Sequence, residues 1–366
     1  MKIISSGNMN IFEATRAYEE WLAGYTTPVQ NALRYKHAQM KSDKLAFLRG
    51  TFYRWLQVYQ EACGELCKAP VLLAIGDLHI GSFGTWRDSE GRMVWGVDDF
   101  DEACPLPYTN DLVRLASSVK VARDCESLNT KFSDACALIL DGYRHSLRTG
   151  GCPIVLEEED DTMRHLGIRE IEKPADFWSK LNRLPTASGG VPTSAKEAIE
   201  KELPEPGIDY KIVRRMAGVG SLGQERYVAI AKWRGGFIAR EAKAMVPSAC
   251  VWLAKTKGSV IIHHNQITST ASRSPDPFQR VHGGWLVRRL SPDSNPIEIS
   301  SLPKQRDEEC LLYSMGLETG NVHLGSKTSP KRILKDLSSR QPKWLATAAK
   351  SMAKAVTREW KEYKKR

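Results

Sequence analysis

Large apolar side chains return every three or four positions through residues 11–66, the spacing of helices with one buried face. Phe12, Tyr18, Trp21 and Leu22 fall on one such stripe. Phe47, Leu48, Phe52, Trp55 and Leu56 fall on a second, predicting a helix across residues 46–67. Pro70 interrupts the pattern, and VLLAIGD (71–77) then reads as a short buried strand. RMVWGVDDF (92–100) reads as the next strand, with the glycine-containing GTWRDSEGR (84–92) as the turn between them. After Pro105 and Pro107, NDLVRLASSVKVARD predicts a helix capped by Thr109 or Asn110, with Leu112, Leu115, Ala116 and Val119 inward. Another helix is expected over residues 133–147.

From Gly150 to Gly207 the chain becomes rich in acidic residues, proline and glycine, and residues 184–203 contain an exposed loop. Ser194 and Glu197 fit a capping box ahead of a short helix. The pattern changes again at residue 210, where Val213, Met216, Tyr227, Val228, Ile230, Phe237 and Ile238 suggest strands around glycine turns. Residues 283–291 add another strand region, and 341–366 read as a basic amphipathic helix. This divides the chain into a first helical region (1–150), a connecting region (151–209), a sheet-rich lobe (210–300) and a C-terminal helical region (301–366). The expected class is α+β.

Composition narrows the field. The chain has 366 residues, 42% of them hydrophobic, enough for a substantial core, and its composition and period exclude collagen, mucin and coiled coil. The formal charge of +10 admits polyanionic partners. Much of that charge follows Ser329, at Lys331, Arg332, Lys335, Lys354, Lys364, Lys365 and Arg366, whereas residues 98–102 are acidic. Such contrast favours local chemistry over a uniform polyanion-binding surface. Nucleic acid nevertheless remains a reading for the C-terminal helix, where Trp344, Trp360 and Tyr363 interleave with positive residues. Packing of that helix on the body is the favoured alternative. Eight cysteines show no zinc-ligand rhythm. No long apolar segment marks a signal peptide or membrane span, so no membrane association is expected. The expected setting is the cytoplasm, with reduced cysteines.

Two constellations carry candidate chemistry. GDLHIGSFG (76–84) and VDDFDEA (97–103) supply Asp77, His79, Asp98, Asp99, Asp101 and Glu102 near two strand ends. Neighbouring strand ends could gather these carboxylates to hold Mg²⁺ and to position a hydroxyl nucleophile. A solvated turn accounts for any one aspartate more easily than for the set. If the second strand continues, Asp98 and Asp101 point oppositely. GVGSLG (218–223) is a G-x-G-x-x-G loop whose backbone amides can approach phosphates. It lacks the G-K-[ST] ending of a Walker A motif. A strand-like QERYVAIAKW follows it, where a dinucleotide-binding unit would have a helix. Arg240 or Lys243 could then meet phosphates, with Glu241 or another carboxylate holding the cation, and Arg288 and Arg289 are further candidates. A nucleophile elbow of the G-x-S-x-G type is absent, which sets aside an α/β-hydrolase.

FLRG (47–50), GDLHIGSFG, DDFDEACPLPYTNDLVRLASS (98–118), GVGSLG, IAREA (238–242), WLVRRL (285–290) and the His323 region together resemble the bacterial domain-of-unknown-function family 2252. That family in turn is similar to the protein-kinase-like and aminoglycoside-phosphotransferase group. The resemblance implies a two-lobed kinase-like fold in permuted order, because the catalytic segment precedes the glycine loop. It implies ATP-dependent phosphoryl transfer with Mg²⁺ to an unidentified small-molecule or protein hydroxyl. Asp77 stands where the catalytic aspartate is expected, with His79 beside it. Asp99 stands at the metal-binding position, with Asp101 nearby, and Asp111 where an aspartate supports the catalytic loop. Ser82 replaces the usual asparagine as second metal ligand. Gly218, Gly220, Ser221 and Gly223 would cover the nucleotide, and Arg240 or Lys243 would neutralise it. The serine replacement and the ambiguous cation also motivate a nucleotide-binding pseudoenzyme or regulatory module.

Overall fold

The structure, a computed structural model, describes residues 9–124, 128–158, 161–169, 171–187, 190–255, 261–296 and 305–366. Its first part is helical, as the apolar spacing requires. Helix α1 (Ile11–Leu22) starts at Asn10, whose side chain accepts from the Phe12 and Glu13 amides while Glu13 answers the Asn10 amide. Helices α2 (Gln30–Ser42), α3 (Lys44–Gly50) and α4 (Phe52–Ala62) follow. The single helix expected across 46–67 is therefore broken. Thr51 leaves helical geometry, its hydroxyl donates to the Phe47 carbonyl at 2.6 Å, and a 3-10 turn covers Gly64–Lys68.

Next come β1 (Val71–Ala74), β2 (Phe83–Arg87), β3 (Met93–Val97) and β4 (Cys104–Pro107). Strand β2 occupies half of the segment expected to be a turn. The turn chemistry is real but begins at Asp88, whose carboxylate accepts the Glu90 and Arg92 amides. Helix α5 (Tyr108–Arg123) begins earlier than either proposed cap, directly after Pro107. Asn110 lies inside its first turn, accepts from the Trp55 indole at 3.0 Å and donates to the Gly76 carbonyl. Helix α6 (Phe132–Thr149) stops on Gly150 in left-handed geometry. Strand β5 (Ile154–Val155) joins β3. The strands that precede the two acidic turns are not neighbours: β1 pairs with β4, while β3 pairs with β2 and β5.

Helices α7 (Asp161–Arg169), α8 (Pro174–Asn182) and α9 (Thr193–Glu200) lead to the larger sheet. Helix α9 has no side-chain cap, because Ser194 lies within it and accepts from the Trp285 indole. Then follow β6 (Tyr210–Arg214), β7 (Arg226–Trp233), β8 (Gly236–Ala244), α10 (Ala249–Ala254), α11 (His264–Thr270), β9 (Arg280–His282) and β10 (Trp285–Arg289). The strands form an antiparallel sheet in the order β6-β7-β8-β10-β9. Ala195, Ala198 and Ile199 of α9 pack on one face, with Tyr227, Ala242 and Trp285. Leu181 of α8 packs on the other, with Val213, Val228 and Ile230. Helices α12 (Gln305–Leu324), α13 (Pro330–Ser339) and α14 (Trp344–Tyr363) complete the helical body.

The principal core lies among α1, α3–α6, α12 and α14. Gly142 and Gly316 let the α6 and α12 backbones touch, since a Cβ on either would strike a carbonyl of the other helix. Helix α14 buries Trp344 and Tyr363, and the Trp360 indole donates to the Met40 carbonyl, so its aromatic side faces the body. Cys104 and Cys250 are joined as a disulfide, which corrects the expectation of reduced cysteines at that pair. Among the described residues no helix is long and apolar enough to cross a membrane. The expected boundary at residue 300, Gly189 of the expected loop and the first eight residues lie outside the described residues.

Candidate functional site

Asp111 builds the turn after β1. It is fully buried in the first turn of α5, and its carboxylate accepts the Ile75 amide at 2.7 Å and the Gly76 amide at 3.0 Å. His323 Nε2 donates to the same carboxylate at 2.9 Å, and the Tyr143 hydroxyl meets His323 Nδ1 at 2.8 Å. Gly76 turns the chain at φ +87°, where a Cβ would strike the Glu102 backbone. Asp77 follows.

Asp77 Oδ1 is held by Arg114, one helical turn beyond Asp111, through Nε at 2.6 Å and through Nη2. Arg114 is fully buried, donates to the Leu48 carbonyl at 2.9 Å and lies over the Phe52 and Trp55 rings. Asp77 Oδ2 faces the glycine loop, for a Cβ on Gly220 would sit 3.5 Å from it. Burial raises the Asp77 carboxyl above its usual range. Arg114 opposes that effect and Asp99 reinforces it.

His79 and Ser82 close the turn from inside. His79 Nδ1 accepts the Gly81 amide at 3.1 Å, and the Ser82 hydroxyl accepts the His79 amide at 3.1 Å while facing the Asp77 carbonyl. Both are buried, and burial, then Arg49 and Arg114, hold the His79 imidazole well below its ordinary pKa. Neither lines the cleft at Asp77: the structure places His79, expected as a catalytic group, and Ser82, expected as a metal ligand, inside the turn that carries it.

The second acidic turn leaves β3 after Val97 and sends its carboxylates in different directions. Asp99 reaches the open cleft. Surrounding protein works to raise its carboxyl, but Lys243, the Asp101 amide and Arg288 outweigh that and hold it below the usual range. Asp101 accepts Lys243 Nζ at 2.6 Å. Asp98 lies against Gly84 on the other side, and burial pushes its carboxyl up to about 6. Glu102 accepts the Ala249 amide at 2.7 Å, and burial pushes it up to about 7. Among the described residues no three His, Cys, Asp or Glu side chains gather to hold a metal ion. Asp99, whose Oδ1 accepts the Asp101 amide at 3.3 Å, lines the cleft together with Asp77.

The glycine loop joins β6 to β7 and docks on α2. Lys36 Nζ donates to the Gly220 carbonyl at 3.2 Å, the Val29 amide donates to the Gly223 carbonyl at 2.8 Å, and Leu33 fills the space beneath Gly223. Gly218 and Gly223 have φ of +73° and +102°. The Ser221 hydroxyl accepts from Arg226, which also pairs with Glu241. Glu241 is fully buried and holds Arg215 and Arg288 as well, at 2.7 and 2.8 Å. Burial alone would raise this carboxyl, but Arg226, Arg288 and Arg215 keep it well below its ordinary range.

Strand alternation separates the two candidate cations of β8. Glu241 and Lys243 share the cleft face. Arg240 points to the α9 face, donates to the Glu202 carbonyl at 2.8 Å and stacks on Phe278, so it does not join Asp77 and Asp99. Lys243 pairs with Asp101, which lines the cleft.

Two hollows flank the Asp98–Asp99 turn. One, a narrow cleft of about 30 Å³, is lined by Lys36, Arg49, Asp77, Asp99, Glu102 and Gly220 among others. The other, of about 210 Å³, lies between β2, α8 and the segment after β10, and holds Asp98, Arg215, Arg288 and Leu290. Sequence reasoning missed Lys36, Arg49, Arg114 and this larger hollow. The quoted motifs FLRG and NDLVRL contain Arg49 and Arg114, whose cationic side chains within apolar helical stripes were the available signal.

Residues 28–175 match a family described as an uncharacterized protein conserved in bacteria, DUF2252. The match includes both acidic turns, Lys36, Arg49, Asp111 and Arg114, whereas the glycine loop and the five-stranded sheet lie beyond it. Neither the curated proteins nor the solved structures contain a match to the chain.

Proposed function

We propose that the chain is an ATP-dependent phosphotransferase acting on a hydroxyl, with a permuted kinase-like arrangement and a cytoplasmic place of action. The observation that supports it most is Asp77: one carboxylate oxygen is fixed by a buried arginine, and the other faces the glycine loop in a cleft that Asp99 also lines. The larger hollow, lined by Phe177, Leu181 and Leu290 as well as by Arg215 and Arg288, takes the base and ribose. The phosphates then run toward Gly218–Gly223, with Lys243, Arg226 and Arg288 on the sheet side. Asp99 would hold Mg²⁺, which commonly takes one or two protein carboxylates and completes its shell with phosphate oxygens and water. Bound there, Mg²⁺ supplies charge neutralisation on the phosphates.

Asp77 orients the acceptor hydroxyl through Oδ2, and its raised pKa suits it to accept a proton. The hydroxyl oxygen forms a bond to the γ-phosphorus as the bond from that phosphorus to the β–γ bridging oxygen breaks. ADP leaves with the electron pair, and the hydroxyl proton passes to Asp77 and on to solvent. The test joins calorimetry with ATP and Mg²⁺ to radiolabelled phosphate transfer over an acceptor panel. Asp77→Asn should keep most nucleotide affinity and lose transfer by about a hundredfold or more. Asp99→Asn should also lose the Mg²⁺-dependent part of the affinity. Wild-type transfer by both soluble variants, or no ATP binding by the wild type, would refute the reading. The Lys243–Asp101 pair favours a second reading, a nucleotide-binding regulator, because it engages two groups that turnover would need. ATP binding without transfer across the panel would support that instead.

A further inference from the structure

The FLRG segment has no part in the chemistry above, yet it enters the cleft beside Asp77. Arg49 lines that cleft, and its guanidinium lies 3.5 Å from the position a Cβ would take on Gly81, so it flanks the Asp77 turn rather than the sheet. Its Nε is buried without a hydrogen-bond partner. Lys36 enters from α2, is 4% exposed and donates to one carbonyl, that of Gly220, which leaves ammonium donors available. Gly50 permits this meeting: a Cβ there would come within 2.8 Å of Met40 Sδ and 3.5 Å of Lys36 Cε.

Asp77, Asp99 and Glu102 line the same cleft, and Asp77 attracts both cations through space, but among the described residues no carboxylate makes an ion pair with either. Asp77 Oδ1 is held by Arg114, Asp101 by Lys243, and Glu102 turns to the Ala249 amide. Two cations in a partly desolvated cleft call for an anion. The nucleotide is served from the opposite side by Lys243, Arg226 and Arg288, which belong to the sheet. Tyr18, Phe52 and Tyr53 wall the cleft and limit its occupant to a small molecule.

We infer that the acceptor is a small anionic hydroxyl compound, a phosphorylated or carboxylated polyol, whose negative group Arg49 and Lys36 hold while its hydroxyl meets Asp77 Oδ2. The inference rests on the phosphotransferase reading for the word acceptor and on the cleft alone for the anion. A polycationic acceptor would set its ammonium groups against Arg49 and Lys36.

The test uses calorimetry on the full chain, with and without ATP and Mg²⁺. The probes are glycerol 3-phosphate, glycerate, glycerol and glucosamine, so phosphate, carboxylate, neutral and cationic compounds are separate arms. At least one anionic probe should bind saturably, about tenfold or more tighter than glycerol and glucosamine. Arg49→Gln should weaken that probe about tenfold and leave ATP affinity within about twofold, and Arg49→Lys should restore part of the loss. Absence of saturable binding by both anionic probes overturns the inference, as does preference for glucosamine. Loss of ATP affinity in Arg49→Gln with probe binding unchanged also overturns it, by assigning Arg49 to the nucleotide. Anion binding in a chain that does not bind ATP would remove the phosphotransferase reading while keeping the anion site. ATP binding without anion binding would do the reverse.

Discussion

Arg114→Met isolates the support beneath Asp77. Methionine keeps apolar contact with Phe52 and Trp55, whose rings lie 5.0 and 4.9 Å from the guanidinium carbon, so little cavity forms. What disappears is a fully buried cation, its pairing with Asp77 Oδ1 and its donation to the Leu48 carbonyl. Removing one partner of a buried pair commonly costs about 3–5 kcal/mol. The Asp77 side chain is 18% exposed through the cleft and regains some hydration, so about 3 kcal/mol is expected at neutral pH. The sign of the pH dependence follows from the carboxyl. Burial already raises its folded-state pKa, and loss of Arg114 raises it further. Below the unfolded carboxylate range Asp77 is protonated in both states and adds no penalty. The penalty grows as pH rises from that range through the folded-state pKa and is complete above it. Urea unfolding of wild type and variant at acid and at mildly alkaline pH therefore should show the larger difference at alkaline pH. A difference under about 1 kcal/mol there, or one that widens toward acid, would refute the account of Arg114 as the counter-charge of Asp77.

Three further outcomes are expected. Tyr143→Phe leaves His323 Nδ1 without its donor and should destabilise by about 1–2 kcal/mol in urea, with ATP affinity unaltered. Gly223→Ala places a Cβ at φ +102° against Leu33, so stability should fall by about 1–3 kcal/mol, and faster proteolysis of the 218–223 loop should report its release from α2. Glu102 titrates near 7, above its unfolded value, so its penalty is absent in acid, grows between about pH 4.5 and 7, and is complete above that. In metal-free buffer, Glu102→Gln should therefore gain on wild type as pH rises, by on the order of 2 kcal/mol at pH 8, read from paired urea midpoints.

How far the sequence shows its structure depends on range. The sheet after residue 210 was legible because alternation and glycine turns are local, and β6, β7, β8 and β10 form where that pattern runs. Strand β2 was hidden because Gly84, Arg87 and Asp88 read as turn residues, while its strand character depends on pairing with β3. The break at Thr51 was hidden by an apolar period that continues across it. Asp77, Asp99 and Asp111 sit in contiguous motifs, so their candidacy needed no tertiary knowledge. Lys36 did not stand out, because α2 is a polar helix in which one lysine looks solvated; Gly50 and the glycine loop, both distant in sequence, enclose it. The Cys104–Cys250 pair spans 146 residues and left no spacing signal. Arg240 and Lys243 could not be separated until β8 was seen to continue through both, which assigns them to opposite faces.

The element that draws the cleft together is α2, although its sequence carries no motif. Its Lys36 and Leu33 receive the glycine loop, and its Met40 packs against Gly50 at the end of the segment that carries Arg49. The loop's position over Asp77 is therefore set by the helical body as well as by the strands that bear it. The charges then divide by element. Sheet cations are matched by Glu241 and Asp101, Arg114 is matched by Asp77, and Lys36 and Arg49 are left facing the opening. A cleft arranged in this way distinguishes its two sides by pairing: the sheet side holds cations in ion pairs within the protein, the other holds Lys36 and Arg49 without an ion pair, beside Asp77 and Asp99. Removing α2 from the account would leave the glycine loop without its anchor and Arg49 without its companion. Positioning of the loop and recognition of the anion thus depend on the same helix.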